Sequence, residues 1–335
     1  MAVTSNAKIS DKGFFGFIKI VLRGAAQVMF QGNALTGLLF LAGIFWGAYA
    51  SNTPLVAWGA ALGLMVSTIT GYLLDLPDEE GINGLWGFNG ILVGCAFPTF
   101  LGNNIWMWLS LALCAALTTW VRTGMNNMMK QWKINSFTFP FVITTWIFVL
   151  AAIAMHNLMD THEIHHVASN HLHQLHHQYE VGTFWHLVEI TLKGISQVFL
   201  IDSWVTGIFF LIALLVSSRW AFLWAIIGSA LSSFVAYVLG APMSSISNGL
   251  YAFSAVLTAI ALGATFYRPC WRTALWTILG ILTTVFVQAA MNMVMPHGIA
   301  TLTGPFCFTT WIFLLPMLKI DKQVADHTSW HNHKQ

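Results

Sequence analysis

The stretch NGLWGFN at residues 83–89 recurs 165 positions later as NGLYAFS at residues 248–254. Two further stretches recur in the same order along the chain. They are RGAAQVMF (23–30) with KGISQVFL (193–200), and TFPF (138–141) with TGPF (303–306). Three ordered matches in apolar sequence indicate an internal duplication. We therefore interpret the chain as two versions of one ancestral unit.

The composition places both units in a membrane. Of 335 residues 57% are hydrophobic and 8% are charged, whereas soluble domains carry about 25% charged residues. The net charge of +2, with no basic patch, argues against a nucleic acid partner. We expect an all-α polytopic protein in a lipid bilayer, because ten apolar runs are long enough to cross about 30 Å of hydrocarbon. These runs lie near 34–50, 55–74, 84–101, 105–121, 136–155, 204–217, 221–239, 249–267, 272–288 and 301–318.

Two shorter segments with charged residues, 14–30 and 184–200, precede the two sets of five runs. If neither segment crosses the membrane and the N-terminus is cytoplasmic, thirteen of the fourteen Lys and Arg lie on the cytoplasmic side, with Lys193 outside. The positive-inside rule therefore favours ten spans plus two half-inserted helices. Because each half has an odd number of spans, the second half is predicted to enter the membrane upside down. Inverted repeats of this kind place the solute path at the repeat interface.

The same reasoning predicts the organisation of the chain. Both termini are expected in the cytoplasm, and no secretory cleavage signature is seen near the N-terminus. The predicted units are a cytoplasmic tail (1–13), the first repeat (14–155), a histidine-rich periplasmic linker (156–183), the second repeat (184–318) and a second cytoplasmic tail (319–335).

The polar site candidates are repeat-related pairs of neutral side chains. No ionisable residue lies in the middle of an expected span, which favours an uncharged solute. Gln27 and Gln197 lie at the predicted helix breaks, where each amide oxygen either accepts from a solute N–H or caps its own helix. Thr138 and Thr303 precede prolines, and their hydroxyls either serve a midplane site or satisfy carbonyls that the prolines free.

The apolar candidates are aromatic residues that recur with the duplication. Phe88 and Phe253 are each followed four residues later by a leucine, Leu92 or Leu257, which places ring and methyl groups on one helix face. Two such walls could pass a planar molecule edge-on. Ordinary helix packing is the alternative that the sequence leaves open.

These stretches resemble the paired signatures of the urea transporter family. The resemblance rests on GLWGFNGILVG (84–94), its echo GLYAFSAVLTA (249–259) and the TFPF and TGPF pair, and it covers nearly the whole chain outside the termini and linker. It implies two inverted five-helix halves, each with a half-inserted helix, that enclose one pore per protomer of a homotrimer. It also implies passive, channel-like transport of urea across a bacterial inner membrane, with no cofactor and no catalytic residue.

The resemblance further implies roles for individual residues. Two departures, Ser254 in place of Asn89 and Leu200 in place of Phe30, imply that the two slots are unequal. The implied roles are oxygen ladders from Gln27 and Gln197 with backbone oxygens near Val28 and Val198, slot walls from Phe88, Leu92, Phe253, Leu257, Phe30 and Leu200, and a constricted centre at Thr138 and Thr303.

Nine of the thirteen histidines lie between His156 and His186, and two HxxHH motifs occur at 162–166 and 173–177. Such motifs are similar to the boxes of membrane di-iron oxygenases, so a desaturase-like enzyme is a second hypothesis. Those enzymes need boxes from separate helix pairs, whereas both boxes here share one loop. We expect a polar linker and no enzyme, although metal binding or pH-dependent charging of the loop stays open.

A channel of the same fold for another small neutral solute also stays open.

Overall fold

The computed structural model describes residues 13–158, 184–295 and 299–320. Within these ranges the chain forms fourteen α-helices and no β-strand, as the sequence predicts. The first seven are α1 (Gly13–Gln27), α2 (Ala34–Ala50), α3 (Pro54–Leu73), α4 (Asp78–Ile82), α5 (Phe88–Phe100), α6 (Ile105–Met129) and α7 (Phe139–Ala154). The other seven are α8 (Phe184–Ser196), α9 (Trp204–Ser217), α10 (Arg219–Val238), α11 (Met243–Ser247), α12 (Phe253–Ile260), α13 (Trp271–Val294) and α14 (Gly304–Leu314).

The helices of the second half follow those of the first in order and spacing. Helix α9 starts 170 residues after α2, and α12 starts 165 residues after α5, which are the shifts that the repeated stretches show. Unusual backbone recurs as well. Phe30 and Leu200 have φ of 63° and 58°, and Phe137 and Leu302 both have φ of 51°. Bulky residues rarely adopt this left-handed conformation, so its recurrence indicates that the two halves share turns as well as helices.

The ten predicted spans differ in how much of each is a single long helix. By length and composition, four described helices can cross a membrane: α3, α10, α13, and α6 together with the 3-10 turn after it. Helices α5, α7, α9 and α14 contain 13, 16, 14 and 11 residues. At 1.5 Å per residue none of these four exceeds about 24 Å. Four of the apolar runs, 84–101, 136–155, 249–267 and 301–318, begin with turns that hydropathy alone does not reveal.

Two of those turns repeat the motif that opened the sequence analysis. In each half a five-residue helix, α4 or α11, leads through a left-handed glycine into α5 or α12. Gly84 has φ of 80° and Gly249 has φ of 72°, a region that glycine enters without steric cost. The other two turns, 134–138 and 299–303, precede α7 and α14. Irregular backbone therefore lies inside four of the apolar runs.

The two short helices α1 and α8 end as the sequence predicts. Helix α1 stops at Gln27 before a turn, and α8 passes into the 3-10 turn Gln197–Phe199. The next helix of each half then starts on a capping side chain. Asn33 Oδ1 accepts from Leu35 N at 2.9 Å, and Ser203 Oγ accepts from Thr206 N at 3.3 Å, which pairs backbone groups that a helix start leaves open. The chain bends by 75° at the second break.

Reciprocal hydrogen bonds join α2 of the first half to α9 of the second. Thr36, near the start of α2, donates to the carbonyl of Ala213 near the end of α9 at 2.9 Å. Thr206, near the start of α9, donates to the carbonyl of Gly43 at 2.9 Å. Each contact is therefore the repeat-shifted copy of the other. From Thr36 to Gly43 along α2, the bonded residue of α9 moves back from Ala213 to Thr206, so the two helices run in opposite directions.

Close helix packing within the first half yields a stability prediction. A Cβ atom at Gly37 in α2 would overlap the carbonyl oxygen of Leu22 in α1, whereas one at Gly124 in α6 meets no atom within 4 Å. Gly37→Ala should destabilise the protein by about 1–3 kcal/mol because α1 and α2 must separate. Thermal unfolding in detergent should show a lower melting temperature than for the matched variant Gly124→Ala. Equal melting temperatures for the two variants would contradict this packing.

Candidate functional site

The two repeat-related threonines meet in the interior of the protein. Thr138 and Thr303 immediately precede α7 and α14, and their Oγ1 atoms lie 2.6 Å apart. Both side chains are buried, and Cys307 Sγ lies 3.4 Å from Thr138 Oγ1. A proline occupies the first turn of each helix, where its missing N–H costs no helical hydrogen bond. The equivalent turns of the two halves therefore converge on one hydrogen-bonded pair.

Each of these turns is held by an indole from the opposite half. Trp146 Nε1 donates to the carbonyl of Ala300 at 3.0 Å, and Trp311 Nε1 donates to the carbonyl of Asn135 at 2.9 Å. The two bonds are repeat-shifted copies of one another. They pair carbonyls in non-helical backbone, which would otherwise be costly to bury.

The first turn is also held within its own half by Asn89. Its Oδ1 accepts from Phe141 N at 3.3 Å, and its Nδ2 donates to the carbonyl of Phe137 at 3.4 Å. Ser254 occupies the equivalent position in the second half, and its buried hydroxyl makes no hydrogen bond within the described part of the chain. Because serine replaces asparagine here, the second turn lacks the two hydrogen bonds that Asn89 gives the first turn.

Gln27 links the end of α1 to the repeated motif. Its Nε2 donates to the carbonyl of Asn83 at 2.8 Å. Its Oε1 is buried and has no hydrogen-bond partner within the described part of the chain. A buried amide oxygen without a donor is costly unless a further molecule supplies one. Gln197, its counterpart, is half-buried in the 3-10 turn after α8.

Phe30 lies in a cluster of rings near the threonine pair. Its ring meets those of Phe266, Phe306 and Phe137 edge-on, with centroids 5.7, 5.9 and 6.2 Å apart. Phe266 and Phe306 belong to the second half, so this cluster spans the contact between the halves. Phe30 was predicted as a wall of the first slot, and the rings that it meets include Phe137, which directly precedes Thr138.

The sequence matches the family described as urea transporter over residues 18–317. The chain belongs to the urea transporter family. Related proteins named urea transporter 1 come from sheep (Ovis aries) and goat (Capra hircus), each 31% identical over 311 residues that cover 89% of this chain and 77% of the relative. The rat (Rattus norvegicus) protein of that name is 30% identical with the same coverage. The resemblance in the doubled motifs is thereby confirmed, and membership supports transport of urea across a membrane.

The remaining predicted residues of this urea transporter occupy equivalent positions in the two halves. Phe88 and Phe253 are the first residues of α5 and α12. The first ring is buried and the second is half-buried. The other candidates are four buried residues, Leu92, Leu257, Val28 and Val198, and the half-buried Leu200.

The sequence reasoning missed three aromatic residues, Phe137, Phe266 and Phe306. Phe306 belongs to the repeated TGPF stretch and Phe137 directly precedes Thr138, so both were within reach of the motif argument. The left-handed backbone conformation that turns Phe137 towards Phe30 could not be predicted, because bulky side chains give no sequence signal for it.

The sequence reasoning also placed Arg122 beyond the end of a span. Helix α6 continues to Met129, so Arg122 lies inside it and is buried. Its guanidinium pairs with Glu80 at 2.8 Å. The helix therefore extends eight residues beyond the predicted apolar run, which ends at 121, and a paired arginine in it can be covered by protein.

The two HxxHH motifs lie outside the described residues. Within the described ranges, no group of three or more His, Cys, Asp or Glu side chains is arranged to hold a metal ion. The urea transporter family consists of transporters and not enzymes, so membership favours transport over the desaturase hypothesis.

Proposed function

We propose that this member of the urea transporter family conducts urea passively, through a passage that follows the contact between its two halves. The observation that carries the proposal is the meeting of Thr138 and Thr303 at 2.6 Å where two non-helical turns converge. Non-helical backbone at membrane depth is tolerated where protein covers it or where it lines a water-filled cavity. Family membership independently supports urea as the solute.

The threonine pair has the hydrogen-bonding capacity that a urea molecule needs. Two hydroxyl groups carry two hydrogens and four lone pairs, and their mutual bond uses one of each. The remaining oxygen acceptors can take N–H groups of urea, and the remaining hydrogen can reach the urea carbonyl. Cys307 competes for only one of these positions. Urea beside this pair would therefore exchange water for protein partners without carrying charge.

An oxygen ladder at the end of α1 would lead urea to this centre. The carbonyls of Ala26 and Gln27 already accept backbone N–H groups of the turn at 3.0–3.2 Å. The unpaired Gln27 Oε1 and the carbonyl of Val28 are the acceptors that we assign to urea N–H groups. Gln197 and Val198 would supply the corresponding ladder in the second half.

Flat apolar walls would keep the solute edge-on to these acceptors. A ring face and a leucine four residues on lie on the same side of a helix, and they leave no partner for a hydrated ion. This arrangement favours a planar, uncharged solute. We assign the first slot to Phe88, Leu92 and Phe30, and the second slot to Phe253, Leu257 and Leu200.

We also propose the inverted topology that the sequence suggests, with repeats at 14–155 and 184–318 joined by a periplasmic linker at 156–183. The opposite directions of α2 and α9 support it, because two halves in the same orientation would place equivalent helices parallel. The distribution of Lys and Arg supports a cytoplasmic location of the tails 1–13 and 319–335. A homotrimer in a bacterial inner membrane completes the proposal and rests on the resemblance alone.

A passage for another small neutral amide is the second candidate. It is favoured by the same free acceptor at Gln27, since an amide oxygen accepts from any N–H donor. Influx measured side by side for urea, acetamide and formamide decides between the two, and the proposal expects urea to be fastest.

Removing the free acceptor should slow urea transport. Gln27→Ala should lower urea flux into proteoliposomes about three- to tenfold at equal reconstituted protein, because a hydrogen bond contributes roughly 0.5–1.5 kcal/mol. Gln131→Ala removes an exposed amide in the 3-10 turn after α6 and should leave the flux unchanged. Wild-type flux in Gln27→Ala would remove this residue from the ladder.

The inverted topology predicts that both chain termini lie on one side of the membrane. Single cysteines placed in each tail of a cysteine-free variant should react with an impermeant maleimide from the cytoplasmic side only. Labelling of the two tails from opposite sides would rule out five spans in each half.

A further inference from the structure

The first half contains an ion pair between a buried arginine and a partly exposed glutamate, and the proposed passage does not use it. Arg122 Nη1 lies 2.8 Å from Glu80 Oε2, and the two side chains are 5% and 34% exposed. Taking an arginine out of water is expensive even when it is paired. A charged residue inside a membrane helix is therefore a candidate for a functional role.

The guanidinium of Arg122 also covers the ring of Phe88. Its Cζ lies 5.8 Å from the ring centroid, within the range of a cation–π contact. Glu80 belongs to α4 and Phe88 opens α5, and the turn 83–87 separates them. One guanidinium thus contacts a residue before the turn and a residue after it. These two contacts fix the orientation of the Phe88 ring relative to the turn.

Two side chains of α1 hold the same turn from the other direction. Arg23 Nη1 donates to the carbonyl of Ile82, and Gln27 Nε2 donates to the carbonyl of Asn83, both at 2.8 Å. The position of the end of α1 relative to the Phe88 ring is therefore fixed through the single segment 82–88. Arg122 completes this arrangement on the side of Phe88.

The second half has no equivalent of this ion pair. The positions that correspond to Arg122 and Glu80 hold Val287 and Ser245. Phe253, the counterpart of Phe88, is half-buried rather than buried. Among the described residues, the ring wall of the first proposed slot is held by a charged group, and that of the second is not.

We propose that Arg122, aligned by Glu80, is a positioning residue that fixes the Phe88 wall and makes the first slot the one that selects solutes by size. This inference rests on the proposed function of Phe88. The second slot would then pass what the first admits. Loss of the guanidinium should loosen discrimination between urea and a wider analogue, and it should leave urea itself able to pass.

The experiment compares urea and N-methylurea flux into proteoliposomes at equal reconstituted protein. In Arg122→Gln the ratio of N-methylurea to urea flux should rise about fivefold, the factor that corresponds to one cation–π contact of about 1 kcal/mol. Arg122→Lys, which keeps the charge but lacks the planar group, should give a smaller rise. Arg272→Gln removes an exposed guanidinium that stacks on its neighbour Trp271, and it should leave the ratio unchanged.

A double-mutant cycle separates positioning from general stability. In a Phe88→Ala background the ratio is already raised, and Arg122→Gln should change it no further. An equal loss of flux for both solutes, or the same fivefold rise without the Phe88 ring, would overturn the inference. If Arg122→Gln does not fold, Glu80→Gln serves instead, and an unchanged ratio there would also overturn it. Failure of the proposed function is distinct, because the wild type would then show no urea flux above empty vesicles.

Discussion

A polypeptide cannot leave backbone N–H and C=O groups unpaired in hydrocarbon, and this constraint governs the centre of the molecule. Two turns interrupt the apolar runs before α7 and α14, and each contains a bulky residue in the left-handed region, Phe137 or Leu302. The carbonyls of Thr138 and Thr303 accept from N–H groups of the helices that follow, but those of Asn135 and Ala300 lie before these helices. Each half instead sends a tryptophan to the turn of the other, and the adjacent threonines bond to each other. The irregular backbone thus persists because the halves cover one another.

The same constraint applies wherever a helix starts or stops inside the protein. Helix α1 stops at Gln27, where the last carbonyls of the helix have no helical partner, and α7 starts directly after Thr138, where the first N–H groups have none. Rings such as Phe30 fill the space between these groups without adding charge. The duplication does not make the two halves identical. In the first half the guanidinium of Arg122 packs on the ring of Phe88. In the second half the charged residues in and after α8 pair with one another, since Lys193 lies 3.3 Å from Glu189 and 3.2 Å from Asp202.

The sequence was sufficient for the features that depend on pattern. The repeated stretches identified the family, the helix breaks after Gln27 and near Gln197, and the equivalence of Thr138 with Thr303. It was insufficient where local conformation overrides hydropathy. A run such as 136–155 is apolar along most of its length, yet its first residues form a turn that Trp311 of the opposite half and Asn89 of its own half stabilise. The burial of Arg122 was missed for a related reason, since its partner Glu80 lies 42 residues earlier in the chain.

The central claim is that the passage between the halves carries an uncharged solute and no ion. Urea flux into proteoliposomes under imposed membrane potentials of either sign tests it most directly, with a valinomycin-clamped potassium gradient setting the potential. The account predicts the same urea flux at every potential and no current above that of protein-free vesicles. A urea flux that scales with the potential, or a urea-dependent current, would contradict it.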